Sequence, residues 1–198
     1  KAESRGLGDV YKRQDTNTSS IGSINFSSLR GVAYNGEFFA LGETDNKNIY
    51  IWKGIPGLND EPDYIIQNPV GVGRIDMNDE WLVVSAYPGA GSPVHVINLT
   101  NLDSGIMLPV PGNDDFPQGV SINEKGFFIA LQGSNKVVGW SSVQDALNGS
   151  SPTMSFGGTT NKTNSGTKMA STVHWDGFHL WVGEFKFSNR LLGFAPSK

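Results

Sequence analysis

The chain has 198 residues, enough for a sizeable core, of which 37% are hydrophobic and only 17% charged. Its net charge of -4 supplies no basic stripe, which argues against a nucleic-acid partner. The absence of cysteine excludes disulfides, thiol chemistry and cysteine-bound zinc, and no apolar run approaches the roughly 20 residues of a membrane helix. What remains is a chain with 25 glycines, 10 prolines and abundant Asn, Ser and Thr. That mixture predicts an all-β protein of short strands joined by polar turns.

The chain begins with KAESRGLGDVYKRQ, residues 1–14, which lack the patterning of everything after them. The segment Asp9 to Gln14 can be encoded by GAT GTG TAT AAG AGA CAG. That string resembles the transposase mosaic end used as a sequencing adapter. Residues 1–14 are therefore read as a non-native leader from a metagenomic assembly, with native chain expected upstream, and they carry no weight in the fold.

From residue 29 onward a repeat emerges. Gly31-Val32-Ala33-Tyr34-Asn35-Gly36 runs into Phe38-Phe39-Ala40-Leu41; Ile75-Asp76-Met77-Asn78-Asp79 runs into Trp81-Leu82-Val83-Val84. Gly119-Val120-Ser121-Ile122-Asn123 leads to Phe127-Phe128-Ile129-Ala130, and Val173-His174-Trp175-Asp176-Gly177 to Leu180-Trp181-Val182. The units are spaced 43, 45 and 53 residues apart at Val32, Ile75, Val120 and Val173. In each, a short strand meets an Asn, Asp or Gly turn and an apolar strand returns beside it. Third strands are predicted at Asn48–Trp52, Val94–Asn98, Lys136–Trp140 and Arg190–Phe194, and fourth strands at Tyr64–Gln67, Ile106–Leu108 and Thr153–Phe156. The apolar runs are too short for helices and rich in Val, Ile, Phe and Trp.

Antiparallel strands recurring every 40 to 50 residues have the period of β-propeller blades, which cover their apolar faces by stacking around an axis. The expected fold is all-β, with four blades of antiparallel strands present: approximately 29–67, 72–110, 117–157 and 169–198, within one domain spanning 15–198. The last unit stops after its third strand. In many propellers the N-terminal strand completes the final blade, so the four blades are expected to belong to a six-bladed ring.

The string Asn46-Lys47-Asn48-Ile49-Tyr50-Ile51-Trp52, followed by Ile55-Pro56 and Pro62, resembles bacterial NHL repeats. Asn135-Lys136-Val137-Val138-Gly139-Trp140 with Pro152 and Phe156-Gly157 matches again, as does Ser188-Asn189-Arg190-Leu191-Leu192-Gly193-Phe194. The resemblance spans roughly residues 29–198 and specifies the propeller class. It leaves function open, because such repeats occur in scaffolds, sugar-binding proteins, lyases and lactonases alike. The V-A-D tripeptide usual at the end of the second strand is replaced by Leu41-Gly42-Glu43, Val84-Ser85-Ala86, Ala130-Leu131-Gln132 and Val182-Gly183-Glu184.

Ligands of propellers bind at the channel mouth. Loops into the innermost strands would present Arg74, Gln118 and Ser171 there; loops between second and third strands would present Glu43, Tyr87, Gln132, Glu184 and Lys186. Converging carboxylates and amides can hold Ca2+ or another divalent cation, or a polyhydroxylated ligand. The competing role for Glu43 and Glu184 is to cap backbone amides of neighbouring loops. In a six-bladed ring those two carboxylates would stand on opposite sides of the channel.

His174 and Asp176 bracket Trp175 at a turn, and a histidine there can serve as general base or ligand. His95 and His179 are isolated. Asp114 and Asp115 read as a solvated turn. Trp52 and Trp140 recur at one repeat position, as blade packing requires, which leaves Trp175 as the tryptophan to test for a ligand.

The leading functional expectation is a non-catalytic, secreted, periplasmic or cell-surface propeller that binds a protein or glycan on one face and needs no cofactor. The alternative is a lactonase- or lyase-like propeller enzyme with a channel-mouth divalent metal held by Glu43, Gln132, Glu184 and His174. A third is a passive domain in a larger surface protein. Four blades of a larger ring leave apolar faces open, so the chain as written is expected to associate or aggregate. A monodisperse monomer with a cooperative melt, seen by light scattering and calorimetry, would contradict that.

Overall fold

The computed structural model describes residues 20–87, 93–111, 116–158, 166–185 and 190–195. Residues 1–14, Asp114, Asp115 and Lys186 lie outside them. A two-stranded hairpin, β1 (Ser20–Ile21) and β2 (Ile24–Asn25), precedes the repeats. Blade I is β3 (Leu29–Tyr34), β4 (Phe38–Glu43), β5 (Asn48–Lys53) and β6 (Tyr64–Gln67). Blade II is β7 (Val72–Met77), β8 (Trp81–Ala86), β9 (Val94–Asn98) and β10 (Asn101–Leu108). Blade III follows with β11 (Pro117–Asn123), β12 (Gly126–Leu131), β13 (Lys136–Trp140), the helix α1 (Val143–Leu147) and β14 (Met154–Gly157). Blade IV is β15 (Ala170–Trp175), β16 (Leu180–Glu184) and β17 (Leu191–Phe194). Each blade is an antiparallel meander in chain order, and together they form the expected propeller arrangement. The fourth strand of blade II is longer than the sequence suggested, starting at Asn101 with an irregularity before Ile106.

The blades share local devices. In every one, the inner strand bulges near its start: between Leu29 and Gly31, Val72 and Ile75, Pro117 and Gly119, Ala170 and Thr172. At its far end a short polar side chain accepts from backbone amides two or three residues on and turns the chain. Asn35 accepts from Glu37 and Phe38, Asn78 from Glu80 and Trp81, Asn123 from Lys125, and Asp176 from Phe178 and His179. At the opposite end, Thr44, Tyr87, Gln132 and Phe185 each donate their amide to a carbonyl 16 residues earlier, at Ser28, Gly71, Phe116 and Met169. These four residues are thus equivalent, and the residues before them, Glu43, Ala86, Leu131 and Glu184, form the other matching set. Blade III therefore aligns one residue differently from the sequence reading: Gln132 matches Thr44, not Glu43.

Inner strands pack in series, β3 on β7, β7 on β11 and β11 on β15, with no comparable contact between β15 and β3 among the described residues. Separate apolar layers fill the gaps. Ala40, Ile49 and Ile51 meet Ile75, Leu82 and Val84 between blades I and II. Val83 and Val96 meet Phe127, Ile129 and Val138 between II and III. Phe128, Ala130 and Val137 meet Val173, Leu180 and Val182 between III and IV. Each fully buried Val, Leu, Ile or Phe side chain among these contributes about 1.5–3 kcal/mol.

The outer face of blade I, with Leu41, Tyr50 and Trp52, is covered by Ile21, Ile24 and Phe26 around the β1–β2 hairpin. Neither that hairpin nor α1 was anticipated. The signal for α1 was present in Ser142-x-x-Asp145: Ser142 Oγ accepts the Asp145 amide at 3.1 Å and donates to its carboxylate at 2.9 Å.

Two glycines set the approach of blade II to blade I. A Cβ on Gly42 would fall 2.3 Å from Val72 Cγ1, and one on Gly31 would fall 2.6 Å from Ile75 Cγ1. Gly42→Val is accordingly expected to destabilise the chain by about 1–3 kcal/mol, read as a lower urea midpoint at unchanged slope.

Candidate functional site

The candidate residues divide into three places. Glu43 and Glu184, at the ends of β4 and β16, are turned into the protein. Glu43 is fully buried. Its Oε1 accepts from the Ser27 amide at 2.8 Å and the Ser27 hydroxyl at 2.7 Å, and its Oε2 from Asn46 Nδ2 and Tyr50 OH at 3.1 and 3.2 Å. Burial alone would raise its pKa, but these bonds, led by the Ser27 amide, hold it below the ordinary 4.5. Glu184 occupies the matching position: its Oε1 accepts the Lys168 amide at 2.6 Å, again 16 residues earlier. Arg190 grips it through Nε and Nη2, both at 2.7 Å, and that pairing raises the guanidinium pKa further. Both carboxylates thus cap the loop that enters their own blade's inner strand.

Gln132 stands apart from them. It lines a shallow hollow with Phe116, Asn135, Lys168 and Met169 at the junction of blades III and IV. The Met169 amide donates to Asn135 Oδ1 at 2.6 Å, and the Thr167 hydroxyl donates to the Asn135 carbonyl. Tyr87, half-buried at the end of β8, lies under the Arg30 guanidinium, 3.6 Å from its ring centre. The carbonyl of Gln118 accepts from Ser85 Oγ at 3.2 Å, tying blade II to blade III.

The third place is the axis. Val32, Arg74, Ile75, Asp76, Gly119, Val120, Thr172, Val173 and His174 line one hollow of about 430 Å³ to which all four inner strands contribute. Arg74 is exposed and anchored through Nη1 to the Arg30 carbonyl at 3.2 Å. Asp76 Oδ2 accepts the Ile122 amide of blade III at 2.9 Å. Its burial raises the carboxyl pKa, while that bond and the nearby His174 pull the other way. Sequence reading singled out Arg74 and His174 but missed Asp76, whose acidic side chain within an apolar strand was the available signal.

Trp175 is not with this group. It pairs with Leu180 at the opposite end of β15 from the Ala170–Glu184 pair, its ring stacked on Phe128 at 6.3 Å. Asp176 beside it is held at a pKa of about 2 by Trp181 Nε1, at 2.6 Å, and by the His179 and Phe178 amides. His95 is buried, with Nδ1 2.7 Å from Asn68 Oδ1, and burial lowers its pKa. Trp52 and Trp140 are buried, and their indole N–H groups donate to the carbonyls of Asp60 and Ser150. Among the described residues no three His, Asp or Glu side chains converge on a point.

Because the folded pKa of Glu43 lies below its unfolded value, its stabilisation is present above about pH 4.5 and is lost as pH falls through the folded value. Glu43→Gln leaves two donors facing an amide nitrogen and should cost about 1–3 kcal/mol at pH 7. Urea melts at pH 7 and at progressively lower pH should show the gap between the two proteins closing with acidification; a constant gap would contradict the assignment.

No family model matches the chain, and no curated protein matches its sequence. Among solved structures it is similar to the computationally designed Ika4 protein, with a TM-score of 0.58 and 10% identity over 90% of this chain and 96% of that one. It is similar too to the β-propeller domain of Cps50 (Swd1) from Myceliophteria thermophila, with a TM-score of 0.57 and 10% identity over 79% of this chain and 49% of that one. The chain thus spans about half the length of that propeller domain. At such identity the likeness speaks for fold alone, and together with the four antiparallel blades it makes this an all-β protein of β-propeller architecture.

Proposed function

We propose that the chain is an NHL-type propeller acting as a non-catalytic binding module, secreted, periplasmic or displayed at the cell surface, that takes a protein or glycan ligand at its axial hollow. The observation that carries this reading is the meeting of Arg74 and Asp76 from blade II with Thr172 and His174 from blade IV around one opening. A fixed cation, a carboxyl group, a hydroxyl and an imidazole from separate elements suit a ligand rich in carboxylates or hydroxyls. The NHL assignment rests on the Asn-Lys turns and on Trp52 and Trp140 at one blade position. A metal-centred enzyme would need the carboxylates of Glu43 and Glu184, and both are engaged with loop amides.

Immobilised protein should be screened against arrays of acidic and neutral glycans and of peptides. Arg74→Ala and His174→Ala, both at exposed positions, should each weaken a true ligand by about tenfold or more without moving the melting temperature. A ligand indifferent to both substitutions would overturn the axial site, and turnover of a lactone or glycan by the wild-type chain would overturn the non-catalytic role.

A further inference from the structure

A second opening, of about 700 Å³, lies between blades III and IV. Its walls are apolar: Phe128, Met154 and Phe156 on one side, Trp175, Leu180 and Phe194 on the other, with Lys125 at the lip. Strand register shows what this place is. Trp175 pairs with Leu180 and Leu180 with Phe194 in blade IV, as Ile122 pairs with Phe127 and Phe127 with Trp140 in blade III. In blade III those three positions belong to the layer shared with blade II, and α1 closes it with Val143 and Ala146 buried and Leu147 packed alongside. The opening in blade IV is the matching position, and its walls are continuous with the layer that joins blades III and IV.

We infer that this groove is a docking site for a short amphipathic helix of a partner protein, with small or branched apolar residues at i, i+3 and i+4 and an acidic residue in its first turn. The apolar spacing follows α1, whose Val143, Ala146 and Leu147 fill the equivalent place. The acidic preference follows from exposed Lys125 at the lip and from Asp145 in the first turn of α1 itself. A third observation concerns Trp175, whose indole N–H is buried without an acceptor. A helix that covers the groove can supply a backbone carbonyl to that N–H. The groove borders the turns after β11 and β15, so it lies away from the strand ends that carry Gln132 and Glu184, and the inference stands independently of the axial reading.

The probe is a stapled helical peptide carrying the Ser142–Asn148 sequence, labelled for fluorescence anisotropy and titrated with the full chain. Saturable binding is expected, weakened about tenfold or more by Met154→Lys. A change in tryptophan emission on binding is also expected, and it should vanish in Trp175→Phe. Met154 is exposed, so the lysine variant should keep the wild-type melting temperature; if it does not, Lys125→Glu with an acidic peptide gives the same test through charge. Absence of saturable binding, or binding indifferent to both groove variants, overturns the inference. Self-association that Met154→Lys abolishes and the peptide cannot displace would assign the groove to a second copy, and would overturn it as well.

Discussion

A blade of this protein is apolar on both faces, and its stability depends on what lies against each one. Ala40 and Ile49 look toward blade II while Leu41 and Tyr50 look the other way, so a sheet with strict alternation still has no face suited to water. Neighbouring blades solve this in pairs, and the inner strands must come close for the layers to seal. Gly31 and Gly119 hold equivalent places, and a Cβ on Gly119 would fall 2.8 Å from Thr172 Cα. Polar links then fix the angle between blades. Asp76 reaches the Ile122 amide, and Ser121, its counterpart in blade III, accepts more loosely from the Trp175 amide at 3.4 Å. His174 is the next residue in that series, and it stands exposed.

The ends of the blades obey a second rule, that backbone amides in tight loops require acceptors. Blades I and IV satisfy it with a glutamate after a Gly, sixteen residues beyond the amide it accepts. Blades II and III have Ala86 and Leu131 at that position and rely on other means. In blade II, Ser85 accepts the Arg74 amide within the bulged inner strand at 2.7 Å; Asn135 of blade III, with a backbone φ of 57°, accepts the Met169 amide of the loop that enters blade IV. Residues with the chemistry of ligands are thereby committed to architecture: Glu43 and Glu184 to loop amides, and Asn135 to the junction of blades III and IV. The axial hollow is assembled from inner strands and mixes Arg74, Asp76, Thr172 and His174 with apolar residues, whereas the groove between blades III and IV is apolar.

Much of this was determined by the sequence alone. The meander of four strands, the turn residues Asn35, Asn78, Asn123 and Asp176, and the paired positions of Trp52 and Trp140 follow from short-range rules of period two and side-chain capping, which act within a dozen residues. The capping role of Glu43 and Glu184 was legible as one of two readings, because a carboxylate beside a Gly-rich turn can face either a ligand or its own loop. Only the tertiary structure decided between local partners: Ser27 and Lys168, sixteen residues away, and Arg190 are brought to those carboxylates by the bulge at the start of each inner strand. Strand register likewise takes Gln132 out of the set it was assigned to, since Pro117 faces Leu131 as Leu29 faces Glu43. Asp76 and the groove beside Trp175 depend on contacts between blades, and the hairpin over Tyr50 and Trp52 on packing between segments distant in sequence. No local pattern encodes those contacts, because the face a blade presents is set by its own strands but its partner is set by the rotation of the next blade about the axis.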